Sequence, residues 1–165
     1  EYPNKGVFVK EFTVKDIEEI YDVRILLESY AIKNSVKTLT SKNIQELMET
    51  LQLLVKYYEK NDLTHYIEVD TQLHQYIINL GGNSLIVDTY RRIYSQSQQF
   101  RIYSLTTQRR FDDSVTEHRS IVENICSGNW KEADRVNKIQ LALAREEIIQ
   151  HFESKKAVEE EQENE

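Results

Sequence analysis

Asp70 and His74 stand four residues apart in a stretch whose other inward positions are Leu63, Tyr66, Ile67, Ile77 and Ile78. A spacing of four puts both polar groups on one face of a helix, and here that face is the apolar one. His118 repeats the anomaly among Phe111, Val115, Val122 and Ile125, and Gln140 does so in the series Ala133, Val136, Gln140, Leu143 and Ala144. Burying an imidazole or a carboxylate without a partner costs ~1–3 kcal/mol or more per group, so something in the interior must satisfy them. Two imidazole nitrogens and a carboxylate oxygen suit a divalent ion such as zinc, nickel, cobalt or manganese, with water or a ligand oxygen completing its shell. The same residues leave open a plainer arrangement, a buried His–Asp hydrogen-bonded pair that holds no ion.

Two arginines extend the set. Arg24 takes an apolar place in the progression Ile17, Ile20, Arg24, Leu27 and Ala31. Its planar fork of donors matches a carboxylate ligand, and Glu28, four residues on, offers it a local partner instead. Arg101 is a weaker candidate of the same kind for holding a carboxylate ligand. Tyr90, Tyr94 and Tyr103 read as core or interface residues. His65 and His151 lie near helix ends and read as surface residues.

These side chains need helices to carry them. Thr13 with Asp16 three residues later opens a first helix over about 14–37. Thr40 or Ser41 caps a second, which carries Ile44, Leu47, Met48, Leu51, Leu54 and Val55 and ends near Lys60. Asp62 caps the third, and Gly81 and Gly82 stop it. Asn83 caps a fourth that continues through Phe100 and Tyr103 to about Thr106. A fifth spans about 108–127. Gly128 fits the left-handed position after it, and Asn129 with Glu132 opens a sixth that reaches about Phe152. The expected fold is all-α, an antiparallel bundle of about six helices.

Composition agrees. Four Gly and one Pro in 165 residues leave little material for hairpins. No apolar run approaches the ~20 residues that cross a bilayer, which predicts a soluble, cytoplasmic protein with no membrane partner. The lone cysteine, Cys126, has no partner in the chain for a disulfide. A net charge of −7 makes the chain by itself a poor ligand for DNA phosphates. Part of that charge sits in residues 153–165, which hold six Glu against two Lys and read as a disordered acidic tail. Residues 1–12 differ from the rest, since Pro3, Asn4, Lys5 and Gly6 are turn formers and Val7, Phe8 and Val9 favour a strand.

The run Asp16-Ile17-Glu18-Glu19-Ile20-Tyr21-Asp22-Val23-Arg24, followed by Leu27-Glu28, resembles the start of the FadR C-terminal (FCD) domain of GntR-family transcription regulators. Asp70-x-x-x-His74 looks like that family's first metal pair, Gly82-Asn83-x-Leu85 like its helix-opening motif and Glu117-His118 like its third ligand. Gly128-Asn129 and Ala133 follow in place. The likeness spans roughly residues 13–150. Residues 3–9 are similar to the end of the family's N-terminal winged helix-turn-helix, so residues 1–12 read as the remnant of a wing and linker and 13–152 as the effector-binding and dimerisation domain. Gln140 falls where the family carries its last His ligand, a departure that weakens or opens the site, because an amide oxygen binds transition metals less strongly than imidazole does. The resemblance implies a homodimer that binds a divalent metal and a small effector, an organic acid, and that reaches DNA through a separate domain.

Two other readings compete with it. A helical metalloenzyme would activate water at an open metal position, but the chain has no paired Glu-x-x-His motifs of the di-iron kind and no His-Asp dipeptide. No general base presents itself, so the protein is not expected to be an enzyme. An acidic helical interaction module without metal would need Asp70, His74 and His118 only to satisfy one another.

Overall fold

The computed structural model describes residues 12–163, and the strand and linker expected over residues 1–12 fall almost wholly outside them. Among the described residues the chain forms six α-helices and one 3₁₀ turn: α1 (Val14–Ser35), α2 (Ser41–Glu59), α3 (Leu63–Leu80), α4 (Ser84–Ser97), the turn Arg101–Leu105, α5 (Gln108–Cys126) and α6 (Trp130–Glu163).

Most helix starts follow from short polar side chains that take up the unpaired amides of the first turn. Thr13 and Asp16 form a reciprocal capping box at α1, and Thr40 and Asn43 form another at α2. Asp62 accepts from the His65 amide, Asn83 from those of Leu85 and Ile86, and Thr107 from that of Arg110. Gly128 adopts φ 80°, the left-handed backbone that a side chain would oppose, and so ends α5. At α6 the Asn129 carbonyl receives the Ala133 amide at 3.2 Å, while Glu132 pairs with Arg135.

The helices bury two apolar clusters. The larger joins Ala31 and Ile32 of α1 to Leu47, Leu51 and Leu54 of α2, Leu73, Ile77 and Ile78 of α3, Ile121, Val122 and Ile125 of α5 and Ala133 of α6. The smaller joins Ile17, Ile20 and Tyr21 of α1 to Phe100, Leu141 and Ile148. Along α1 the residues between the two are Arg24 and Glu28, and along α6 they are Asn137 and Gln140, all buried. A polar layer therefore divides the core.

Two boundaries depart from the periodicity. The fourth helix ends at Ser97 instead of running to about Thr106. The hydroxyls of Ser95 and Ser97 bond back to the carbonyls of Arg92 and Tyr94, and side chains that bond locally in this way compete with a continuing helix. The break lets Phe100 enter the smaller cluster while Arg101, its neighbour, faces the polar layer. At the other end α6 continues to Glu163, through most of the stretch read as a disordered tail. Glu, Lys, Ala and Gln are good helix formers, and extending a formed helix adds one hydrogen bond per residue without a new nucleation step.

α1 and α3 approach closely at Gly81. A Cβ there would stand 2.7 Å from Ala31 Cα and 2.9 Å from its Cβ. The backbone at Gly81 is right-handed, with φ −63°, so alanine would meet no conformational penalty, only the clash. Gly81→Ala is therefore expected to destabilise the fold by about 1–3 kcal/mol through overpacking. Chemical denaturation at equal protein concentration measures this, and a stability equal to wild type would contradict the close contact.

Candidate metal centre

Four helices and the 3₁₀ turn bring polar side chains into one small cavity of about 30 Å³. α3 supplies Asp70 and His74, α5 His118, α6 Gln140, α1 Arg24 and the turn Arg101, and all six line it. Every one is at most 7% exposed. The residues singled out by their place on apolar stripes thus meet.

The three metal-type donors are close enough to share one ion. His118 Nε2 lies 2.7 Å from Asp70 Oδ1, His74 Nε2 lies 3.6 Å from the same oxygen, and the two Nε2 atoms are 3.2 Å apart. Ligand distances of ~2.0–2.1 Å in a tetrahedral shell put neighbouring ligand atoms roughly 3.3 Å apart, so this triangle is of the right size.

The tautomers agree with it. His118 Nδ1 lies 2.8 Å from the Ser114 carbonyl, which can only accept, so that nitrogen carries hydrogen. His74 Nδ1 donates to Glu28 Oε2 at 2.9 Å. With Nδ1 carrying the hydrogen, each ring when neutral would present its Nε2 lone pair to an ion beside the Asp70 carboxylate; without an ion, His118 Nε2 is placed to donate to Asp70 Oδ1 at 2.7 Å. Outer partners of this kind fix the orientation and raise the basicity of metal-binding histidines. The Gln140 amide completes the picture. Its nitrogen stands 3.0 Å from His118 Nε2 and 3.1 Å from Nδ1, a donor facing a donor at the second, while its oxygen is buried without a hydrogen-bond partner. Turning the amide half a revolution brings that acceptor to the cluster.

Electrostatics keeps the carboxylates charged. Burial alone raises the Asp70 carboxyl, but Arg101, then His118 and His74, outweigh it and hold Asp70 well below the usual carboxylate range. Burial likewise raises Glu28, and His74 and Arg24 hold it down. His74 is itself raised: burial lowers it, and Glu28 and Asp70 overcome that. Without metal, then, His74 holds a proton to higher pH than an ordinary imidazole, and the stability from its charged contacts is present at low pH and lost as pH rises through its raised value. An ion needs the bare nitrogen, so metal uptake runs the other way and is favoured by rising pH.

Both arginines reach the cavity already paired. Arg24 donates to Glu28 Oε1 at 3.0 and 3.2 Å, the local partner foreseen at that spacing. Arg101 donates to Asp70 and, at 2.6 Å, to Thr71 Oγ1. His65 is half exposed and pairs with Asp62, whereas His151 stacks on Tyr103.

The helix pattern passed over several members. Glu28 appeared there only as a partner for Arg24, yet it also receives His74 and the Tyr90 hydroxyl. Arg110 and Ser114 recur every four residues before His118, a signal that could have found them. Arg110 makes two 3.1 Å bonds to Glu117, while its Nε is buried without a partner.

A family model, the FCD domain, matches residues 19–153. The chain belongs to the FCD domain family. Solved structures share the fold. The metal-free FCD domain of TM0439 superposes with a TM-score of 0.75 at 23% identity over 88% of this chain and 99% of that one. Its Zn2+-bound form gives 0.68 at 23% identity over 87% and 98%. E. coli McbR/YncC gives 0.81 at 16% identity over 92% and 76%. No curated relative matches the sequence. In this FCD domain Asp70, His74 and His118 each offer one atom that could ligate an ion, and these atoms lie within 4.8 Å of one another.

Glu28→Gln keeps the shape of the side chain and removes the charge that holds the Nδ1–H of His74. Zinc affinity is expected to fall ~10–100-fold with helix content retained. Titration calorimetry with circular dichroism tests this; equal affinity in the variant would show that Glu28 does not orient the ligand. The same titrations in buffers of differing ionisation heat should reveal proton release on zinc uptake and tighter binding at higher pH. Binding that does not change with pH would contradict the raised state of His74.

Proposed function

We propose that this FCD domain is the sensing half of a bacterial GntR-family transcription regulator, and that Asp70, His74 and His118, with the Gln140 amide oxygen as fourth ligand, hold a divalent metal. The observation that carries the reading is the pair of Nε2 atoms 3.2 Å apart beside a buried carboxylate, each ring oriented through its Nδ1 by a different partner. A zinc-bound form of the TM0439 FCD domain supports it. Zinc, nickel and manganese all accept this mixed nitrogen and oxygen set.

The metal's chemistry here is binding. An organic-acid effector would place a carboxylate on the open side of the ion, with Arg101 and Arg24 on the cavity wall as its further partners. At about 30 Å³ the cavity holds an ion or a water but not such a molecule, so effector binding requires the wall to move. That requirement is what sensing needs, because a ligand shifts a conformational equilibrium only by binding its states unequally. DNA contact belongs to a winged-helix domain outside this sequence, consistent with the net charge of −7. The protein acts as a cytoplasmic homodimer and not as an enzyme. Among the described residues no helix is long and apolar enough to cross a membrane. α1 and α4 pack together and leave Val23, Leu26, Tyr30 and Leu85 exposed, apolar surface suited to a second copy.

Metal binding is the decisive test. Chelator-stripped protein is expected to take up one zinc, nickel or manganese ion per chain, measured by elemental analysis after gel filtration. His74→Ala should abolish uptake while the helices persist, and Gln140→His should tighten it, since imidazole replaces an amide. Failure of the wild-type chain to retain any of the three ions would sink the metal reading and leave a metal-free helical interaction module.

A further inference from the structure

Asp70 has two claimants. Its Oδ1 faces the Nε2 atoms of His118 and His74, and its Oδ2 receives the guanidinium of Arg101. That guanidinium is itself well held. It donates to Thr71 Oγ1 at 2.6 Å, lies 5.6 Å from the centre of the Tyr94 ring and is screened from solvent. A divalent cation at the three donors would therefore bind a carboxylate already neutralised by a fixed positive charge. The guanidinium and the ion would then be like charges a few ångströms apart on one counter-charge, and their repulsion in a low-dielectric interior opposes entry of the ion.

The competitors are mounted differently. Asp70 sits inside α3, a continuous helix packed on α1, α2 and α4. Arg101 begins a single turn of 3₁₀ helix, whose hydrogen bonds are poorer than those of an α-helix, and Phe100 before it caps that turn with no side-chain bond. Of the two, Arg101 is the one that can give way.

We infer that Arg101 is a built-in competitor of the metal, so that uptake of the ion at Asp70 and release of the guanidinium from it are one event. The inference rests on the metal reading above and adds a coupling to it. Affinity for the ion is set below what the donors alone would give. A released guanidinium lies beside the bound ion without its carboxylate, and the pair of charges then favours a ligand with an anionic group. In the metal-free protein Asp70 fills that role, and the cavity is closed to such a ligand.

The experiment uses the whole chain, stripped with chelator, and zinc alone as the probe. Wild type, Arg101→Ala and Arg101→Gln are titrated with zinc by competition with a fluorescent chelator. Hydrogen exchange over residues 98–107 is followed in wild type with and without zinc. Removal of the competing cation is expected to tighten zinc binding by about tenfold or more in both variants. In wild type, zinc should speed exchange in the segment that carries Arg101. Zinc bound by the variants but not by wild type would overturn the coupling, because the native chain would then take up no ion with which to release Arg101. Zinc bound by wild type with equal or greater affinity than by the variants overturns the competition and leaves the metal site standing. Zinc bound by none of the three overturns the metal reading and the coupling together. Should Arg101→Ala fail to fold with Asp70 left unpaired, Arg101→Gln keeps a donor to that carboxylate and carries the comparison. If both misfold, unchanged exchange at 98–107 in zinc-loaded wild type overturns the inference.

Discussion

Charge buried between two apolar clusters has to be neutralised where it lies, and that constraint organises the interior of this domain. Two chains of contacts do it. One runs from Arg24 through Glu28 to His74, the other from Arg101 through Asp70 to His118, and they meet where the two imidazoles face each other. Arg110 and Glu117 close a third pair at the edge of the layer. Breaking a buried pair on one side commonly costs ~3–5 kcal/mol, so the members are held as a set. Such a layer adds little net stability beyond what apolar residues of equal volume would give. What it adds is a fixed geometry of lone pairs and donors in a dry place.

The same constraint explains why the outer residues matter as much as the inner ones. A free imidazole has two tautomers, and only one of them aims its basic nitrogen at the cavity. Glu28 and the Ser114 carbonyl each select that tautomer, one with a charge and the other with a backbone oxygen that helix α5 leaves within reach of its own side chain four residues on. Tyr66 adds a hydroxyl 3.3 Å from His118 Nδ1 and another contact to Ser114, which ties α3 to α5 at the level of the site. The metal-type donors are thus positioned by groups that would never touch an ion.

Much of this was legible in the chain. Helical periodicity locates Asp70, His74, His118 and Gln140 on inward faces, because a polar residue at the angular position of the core contradicts the pattern around it. Caps at Thr13, Thr40, Asp62 and Asn83 and the left-handed Gly128 mark the helix ends by local chemistry, and the structure keeps them. What periodicity does not carry is partnership across helices. Nothing in the spacing joins Glu28 to His74, 46 residues away, or Arg101 to Asp70, 31 away. The end of α4 was hidden for a related reason: Phe100, Arg101, Ser104 and Leu105 are all buried, and the apolar pattern runs on although the helix does not. Beyond Phe152 the opposite holds, since α6 continues on intrinsic propensity with its described side chains largely exposed.

The division of the core has a mechanical side. The polar layer lies between the two apolar clusters along α1 and α6. α1 and α6 each pass through both clusters and the layer, and they pack directly against each other. The layer and both clusters are therefore mounted on the same two struts, so a change of spacing between α1 and α6 at one level is felt at the other two.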